Sequence, residues 1–132
     1  LLNALFKKIL NGAEIVAMHK NKYWHSGNGL TLDLGAFVAA LEFATEKEAV
    51  VIGKPNPHLF QLAVKPWGLS FQSIYMVGDD IEGDIGGANN VGMQSILVKT
   101  GKYREESLKR SEITPDFIIN SVADLPELLQ LN

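Results

Sequence analysis

Cysteine is absent from this sequence of 132 residues. Its absence excludes disulfide bonds and thiolate metal sites, and it is typical of a reducing compartment, so we expect a cytoplasmic protein. The net charge is only −3, which provides no general attraction to nucleic acid or to an anionic membrane. No apolar run approaches the ~20 residues that a membrane-spanning helix needs. The sequence therefore predicts neither a nucleic-acid partner nor a membrane partner.

What is present is an ordinary globular composition, 46% hydrophobic and 20% charged, in a chain long enough for one domain with a single core. Short, nearly continuous apolar runs alternate with helical patterns. This alternation predicts an α/β fold with a parallel sheet that helices cover on both faces. The predicted strands are residues 14–18, 49–52, 73–77, 94–98 and 117–119, and the predicted helices are residues 1–10, 36–45, a segment after 57, 84–90, 104–111 and 122–131.

Dense negative charge follows one of these predicted strands, residues 73–77. Carboxylates this close repel one another unless a cation, a helix N-terminus or solvent relieves the charge. In an open α/β sheet, ligands bind at the carboxyl ends of the strands. Acidic groups among small glycines at such a place suit Mg²⁺, which usually takes only one or two protein carboxylates. The acidic residues fill four of six positions: Asp79, Asp80, Glu82 and Asp84.

A lysine follows the neighbouring predicted strand, residues 49–52. Lys54 stands where it could neutralise a phosphoryl group at the same edge of the sheet. The two signals together indicate a site for phosphate and a divalent cation. Acids in a strand-to-helix loop also serve as helix N-caps, so either Asp80 or Asp84 could have that structural role alone.

Three familiar ion- and nucleotide-binding motifs are excluded. An EF-hand that begins at Asp80 would need glycine where Ile85 stands and glutamate where Val91 stands. A Walker phosphate-binding loop would need glycine in place of Glu48 and serine or threonine in place of Pro55. The dinucleotide fingerprint G-x-G-x-x-G does not occur.

Two segments carry a resemblance to a known family. VVIGKPNPHLF at residues 50–60 and IYMVGDDIEGDIGGANNVGMQSILVKTGKY at residues 74–103 resemble the third and fourth motifs of the haloacid dehalogenase superfamily. The match is to the branch, subfamily IIA, with a large α/β cap inserted between the second and third motifs. Residues 12–45 resemble the end of that cap and the return into the core. The resemblance implies a Rossmann-like parallel-sheet core, with residues 1–31 in the cap and residues 32–132 in the core.

The same resemblance implies a role for each motif residue. Lys54 would contact the phosphoryl group and the nucleophile, and Asn56 would contact the substrate. Asp79 would be the Mg²⁺ ligand of the fourth motif, and Asp84 would be a supporting acid of the metal shell. Asp80 is the acid most readily assigned a structural role. The implied activity is a Mg²⁺-dependent phosphatase that hydrolyses a small phosphorylated substrate through a phosphoaspartyl intermediate.

The nucleophile of that family is missing from this sequence. It lies in a D-x-D-x-T-type motif, and no D-x-D occurs anywhere in the chain. The chain therefore resembles the C-terminal half of a phosphatase, which would need the missing N-terminal half as a partner and would be inactive alone. A homodimer stays open. So does a second class of function, in which the chain is a non-catalytic fragment or a binding module. A receiver-like domain fits less well, because no lone phosphorylatable aspartate is evident.

Overall fold

The computed structural model describes residues 1–130, which divide into two compact units, Leu1–Gly53 and the segment from Lys54 onward. The strands are β1 (Val16–Ala17), β2 (Tyr23–Ser26), β3 (Gly29–Leu32), β4 (Val50–Val51), β5 (Tyr75–Gly78), β6 (Gln94–Val98) and β7 (Phe117–Ile119). The α-helices are α1 (Leu2–Leu10), α2 (Leu34–Thr45), α3 (Pro57–Val64), α4 (Gly87–Val91), α5 (Glu105–Arg110) and α6 (Leu125–Leu128). A π-helical segment spans Ile81–Gly86, and 3₁₀ turns span Lys65–Trp67, Phe71–Ser73 and Val122–Asp124.

The first unit places helices α1 and α2 against a pair of parallel strands. Strand β1 pairs with β4, with Val16 opposite Val50. Apolar side chains of both helices and of β1 meet in one core. Its buried members are Ile9, Ile15, Ala17, Val38 and Leu41.

Local chemistry fixes the ends of these elements. Helix α1 stops at Asn11, and Gly12 follows with φ of +101°, a backbone region that favours glycine. The Asp33 side chain accepts a hydrogen bond of 2.7 Å from the Leu34 N–H, so it caps the start of α2. Between them, β2 and β3 form an antiparallel hairpin whose turn carries Gly27.

The second unit contains a three-stranded parallel sheet in the order β5-β6-β7. The middle strand is the most buried element, since four of its five residues are buried. Val77 lies opposite Ile96, and Leu97 lies opposite Ile118. In the described part of the chain, β5 pairs with β6 along one edge and with no strand along the other.

Helices α3 and α4 pack together on this second unit. Their shared core comprises Phe60, Val64, Ala88 and Met93, and Met76 of β5 packs against it. Helix α4 continues directly from the π-helical segment and ends at Gly92, whose φ is +79°. The π-helical segment begins at Ile81, directly after Asp79 and Asp80, and it contains Glu82 and Asp84, so all four acids follow the carboxyl end of β5.

The sequence predictions of fold class are confirmed, because the chain is a mixed α/β structure with parallel strands. Strands β6 and β7 have the predicted bounds, whereas β5 was predicted to begin at Ser73, which lies in a 3₁₀ turn. The helix predicted at residues 84–90 begins earlier, at Ile81. The helix predicted at residues 122–131 is a 3₁₀ turn followed by α6, and Leu131 lies outside the described residues.

Two further expectations concern boundaries and membranes. The predicted division between cap and core, after residue 31, falls inside the first compact unit, and the assignment of residues 1–31 to a cap stays a prediction. Among residues 1–130, no helix has both the length and the apolar character that crossing a membrane requires.

Candidate active site

The candidate site lies at the carboxyl end of β5, where Gly78 leads into the acidic loop. A Cβ atom at position 78 would overlap the carboxylate of Asp84, so only glycine lets this side chain fold back against the strand. Asp79 and Asp80 follow directly. The sequence therefore brings three carboxylates to one end of the strand, and each of them has different partners.

Asp84 is the buried member of the group. Its side chain is 6% exposed, and its Oδ1 accepts a hydrogen bond of 2.5 Å from the Lys54 ammonium. Its Oδ2 accepts from the Asp80 N–H at 3.2 Å. A buried carboxylate is tolerated only when it is paired and hydrogen-bonded, and Asp84 meets both conditions. The Lys54 side chain remains 45% exposed, so solvent reaches this lysine although its ammonium is paired with a buried carboxylate.

Close packing around Gly87 holds the Lys54 loop. The Lys54–Pro55 peptide bond is cis. A Cβ atom at position 87 would overlap the Phe60 ring and would lie 3.2 Å from Pro55 Cα. Glycine at this position therefore allows α4 to approach both the loop after β4 and helix α3. The second glycine of the sequence IGGA, Gly87, thus serves the placement of the loop that carries the lysine.

Asn56 stands at the start of α3. Its Oδ1 accepts a hydrogen bond of 2.9 Å from the His58 N–H, so Asn56 is the N-cap of the helix. The structure thus shows a capping role for a residue that the resemblance assigns to substrate binding. That assignment stays a prediction.

Asp79 is held by the loop that follows β6. Its Oδ2 accepts a hydrogen bond of 2.9 Å from the backbone N–H of Lys102. Within residues 1–130, Oδ1 of this carboxylate has no hydrogen-bond or ion-pair partner. Asp79 is partly exposed, and it lies directly at the strand end. It therefore offers one oxygen that a ligand can reach.

Asp80 caps the π-helical segment. Its Oδ1 accepts from the Glu82 N–H at 3.1 Å and from the Gly83 N–H at 3.0 Å, and its Oδ2 lies 3.0 Å from Lys102 Nζ. Burial by itself raises the pKa of the Asp80 carboxyl. The hydrogen bonds from Gly83 and Lys102 outweigh that effect, and the pKa lies below its ordinary value. Both carboxylate oxygens are thus occupied, so Asp80 acts as an anionic cap.

The structure brings the predicted residues Lys54 and Asp84 into direct contact and places Asp79 shortly before the π-helical segment that carries Asp84. It also adds Lys102, which the sequence reading did not single out although it contacts both Asp79 and Asp80. The available signal was the run KTGKY after β6, with a glycine and a cation at a strand end.

The donor set can be tested against Mg²⁺. Among the described residues, no three or more His, Asp or Glu side chains form a group that could hold a metal ion. Mg²⁺ is bound through one or two carboxylates, with water and phosphate oxygens as the other ligands. Asp79, with one oxygen uncommitted, and Asp84, on the same loop, meet that requirement. The residues therefore fit a site that is completed by ligands other than protein side chains.

Comparison with known proteins gives a consistent set of relatives. The sequence profile of the HAD-hydrolase-like family matches residues 51–125. The human haloacid dehalogenase-like hydrolase domain-containing protein 2 is 47% identical over 104 residues, which are 79% of this chain and 40% of the relative. The phospholysine phosphohistidine inorganic pyrophosphate phosphatase of Xenopus laevis is 38% identical over 130 residues, 97% of this chain and 48% of the relative.

Several solved structures with the same fold are phosphatases by name. A 4-nitrophenylphosphatase from Thermotoga maritima matches with a TM-score of 0.83 and 31% identity, over 96% of this chain and 49% of that one. A glycerol phosphate phosphatase from Mycobacterium tuberculosis, in complex with magnesium, matches with a TM-score of 0.80 and 32% identity, over 94% of this chain and 38% of that one. The chain spans about half the length of the relatives it matches, or less.

Proposed function

This chain belongs to the haloacid dehalogenase-like hydrolase family, and on that premise we propose that it forms part of a Mg²⁺-dependent phosphatase. The family prediction made from the two sequence motifs is confirmed. The proposed substrate is a small phosphorylated molecule: a phosphate monoester, a phosphoamide or pyrophosphate. One observation carries the proposal. A buried carboxylate, Asp84, holds the exposed cation of Lys54 at the same strand end where Asp79 offers an uncommitted oxygen.

Lys54 is the proposed phosphate-binding and catalytic cation. Its ammonium has three N–H donors, and Asp84 takes one of them. The others can donate to phosphoryl oxygens, whose negative charge a fixed cation stabilises during transfer. Because Asp84 and the packing at Gly87 fix the lysine in advance, little reorganisation is needed when the phosphate arrives. Asn56 at the start of α3 is the proposed second substrate contact.

Asp79 and Asp84 are the proposed residues of the metal shell. Asp79 would ligate through Oδ1, and Asp84 would act as a supporting acid, since its Oδ1 is engaged by Lys54. The ion, when bound, supplies positive charge that offsets the charge of the phosphate group. Magnesium in the structure of the related glycerol phosphate phosphatase supports this choice of ion.

The nucleophile would come from outside these 132 residues. Family members attack phosphorus with an aspartate of a D-x-D-x-T-type motif, which gives a phosphoaspartyl intermediate that water then hydrolyses. That motif is absent here. We therefore propose that an N-terminal half completes the active site, and that the unpaired edge of β5 leaves room for a strand from it.

The direct test is phosphate release by the full-length protein with Mg²⁺ and with EDTA, using 4-nitrophenyl phosphate and pyrophosphate as probes. We expect Mg²⁺-dependent release that Asp79→Asn abolishes and that Lys54→Met lowers by roughly 10²-fold or more in kcat. Lys109→Met is the matched control, because it removes an exposed lysine paired with Glu105. Residues 1–132 alone should be inactive.

Three outcomes would count against the proposal. Near-normal turnover in Asp79→Asn would remove the metal assignment. Unchanged kcat in Lys54→Met, with only a loss of stability, would reduce the lysine to a structural role. A full-length protein without any phosphate release would favour the alternative of a non-catalytic binding module.

A further inference from the structure

The loop of residues 99–103 contacts the acidic loop after β5, and no part of the proposed function uses it. We propose that this loop orients the Asp79 carboxylate for metal binding, with Lys102 as a positioning residue. The proposal rests on the proposed function, because it deepens the role of Asp79. It concerns the orientation of Oδ1 of the Asp79 carboxylate, which is set by the hydrogen bond that Oδ2 accepts.

Lys102 contacts two neighbouring acids with two different groups. Its backbone N–H donates to Asp79 Oδ2 at 2.9 Å, and its Nζ lies 3.0 Å from Asp80 Oδ2. The side chains of Lys102 and Asp80 are 23% and 22% exposed, so the ion pair is largely shielded from water. A single residue thus fixes both carboxylates at the start of the π-helical segment.

Gly101 makes this close approach feasible. A Cβ atom at position 101 would overlap Asp79 Oδ2, and the backbone has φ of +51°, which favours glycine. The loop therefore contacts the Asp79 carboxylate through its backbone, with no side chain at Gly101 between them. Any side chain at this position would push Asp79 away from the Lys102 N–H or displace the loop itself.

The loop is anchored on both sides of these contacts. The Lys99 N–H donates to the Ile119 carbonyl at 3.0 Å, which continues the ladder between β6 and β7. The Tyr103 N–H donates to the Thr100 carbonyl at 2.9 Å, and Arg104 Nη1 donates to the Gly101 carbonyl at 3.1 Å. The position of the Lys102 N–H is therefore constrained by the sheet at Lys99 and by hydrogen bonds within the loop, and the ion pair with Asp80 holds it against the acidic residues.

The consequence for Asp79 is a fixed orientation. With Oδ2 held by the loop, Oδ1 is the oxygen left for a cation. Partners that hydrogen-bond a ligating carboxylate set its direction, and their loss typically lowers metal affinity about 10–100-fold.

Simple electrostatics predicts the opposite effect of removing the lysine. Lys102 carries a positive charge close to the proposed metal site, and that charge by itself repels a divalent cation. A lysine without a positioning role would therefore tighten metal binding when it is replaced by a neutral residue. A positioning residue would weaken binding. The sign of the change separates the two roles.

The experiment measures Mn²⁺ binding to the full-length protein by electron paramagnetic resonance, with Mn²⁺ as the probe for Mg²⁺. Lys102→Met keeps the backbone N–H but removes the ion pair with Asp80 that holds the loop against the acidic residues, so we expect Mn²⁺ binding to weaken about tenfold or more. Lys102→Arg keeps a cation that can pair with Asp80, so it should recover most of the affinity. Lys109→Met, which removes an exposed lysine, should bind Mn²⁺ like the wild type. Melting temperatures establish that each variant is folded.

A second variant tests the loop without changing its charge. Gly101→Ala places a methyl group against Asp79 Oδ2 and should also weaken Mn²⁺ binding. Unchanged or tighter binding in both Lys102→Met and Gly101→Ala would overturn the proposal, as would a wild type that binds no Mn²⁺. A wild type that binds Mn²⁺ but releases no phosphate would contradict the proposed function and leave the role of Lys102 intact.

Discussion

Two lysine–carboxylate pairs in this chain have similar lengths and different surroundings. Lys54 meets Asp84 at 2.5 Å in the second unit, and Lys20 meets Glu42 at 2.7 Å in the first. Each carboxylate also accepts one backbone N–H, which Asp80 supplies to Asp84 and Ala49 supplies to Glu42. The hydrogen-bond count is therefore the same.

The difference lies in the exposure of the carboxylate, since the two lysines are similarly exposed, 45% for Lys54 and 39% for Lys20. The Asp84 side chain is 6% exposed, whereas that of Glu42 is 18% exposed. Water and salt screen the second pair, so its net value is small. Asp84 cannot turn to water for compensation if its lysine is lost. Hydrogen-bond geometry alone does not show which pair contributes more to stability, whereas the burial of the carboxylate does.

The largest predicted effect is the loss of the buried pair. Lys54→Met leaves the Asp84 charge without its cation, and we expect the free energy of unfolding to fall by about 3–5 kcal/mol. Urea denaturation of the full-length protein measures the change. Adding Asp84→Asn removes the stranded charge and should restore part of the loss. Equal stability of Lys54→Met and wild type would contradict the conclusion that burial of the carboxylate makes this pair the more important one.

Next in size is the effect of the packing that holds Lys54 in place. Gly87→Ala puts a methyl group into the buried Phe60 ring and should cost about 1–3 kcal/mol of stability, as overpacked cores do. Gly27→Ala is the matched control, because nothing lies within 4 Å of a Cβ atom there. Thermal unfolding of both variants gives the result. Tolerance of alanine at position 87 would contradict the close approach described above.

The exposed pair should tolerate the same substitution well. Lys20→Met removes the cation from Glu42, and we expect a loss of about 0–1 kcal/mol, as for other exposed ion pairs. The measurement is the urea midpoint at low salt and at high salt, where the difference from wild type should shrink. A cost equal to that of Lys54→Met would show that burial does not distinguish the pairs.

The smallest predicted effect is a pH dependence of the Lys20–Glu42 pair. The hydrogen bond from Lys20, with that from Ala49, lowers the pKa of the Glu42 carboxyl from its ordinary 4.5. A lowered folded-state pKa means that the stabilisation is present above 4.5 and is lost as the pH falls through the folded-state value. The stability difference between wild type and Lys20→Met should therefore vanish in acid. A difference that persists at the lowest pH would contradict this assignment.

The sequence predicts the parts of the fold that are apolar and continuous. Strands β6 and β7 have their predicted bounds, and the apolar run of each ends at a polar residue, Lys99 after β6 and Asn120 after β7. The hairpin strands β2 and β3 were not predicted, since their pattern of aromatic and polar residues has no buried face to mark it. The π-helical segment was also missed, because its extra residue per turn has no signature in side-chain type.

The residues of the candidate site were likewise predictable only in part. Lys54, Asp79 and Asp84 could be named in advance because their charges stand at strand ends. Lys102 could not, since its contact with Asp79 uses a backbone N–H that every residue except proline carries. The burial that separates Asp84 from Asp79 was equally invisible, because it depends on how Gly78 and the helices pack.

The parallel register of β5 and β6 has a consequence for the order of events during synthesis. Asp79 leaves the ribosome 23 residues before Lys102, the residue that fixes its carboxylate. At about 5–20 residues per second, that interval lasts roughly one to five seconds. During this interval Lys54 has already been synthesised and can pair with the acidic residues, whereas Lys102 has not yet been synthesised. The half of the site built on Asp84 can thus assemble first, and the half built on Asp79 must wait for β6.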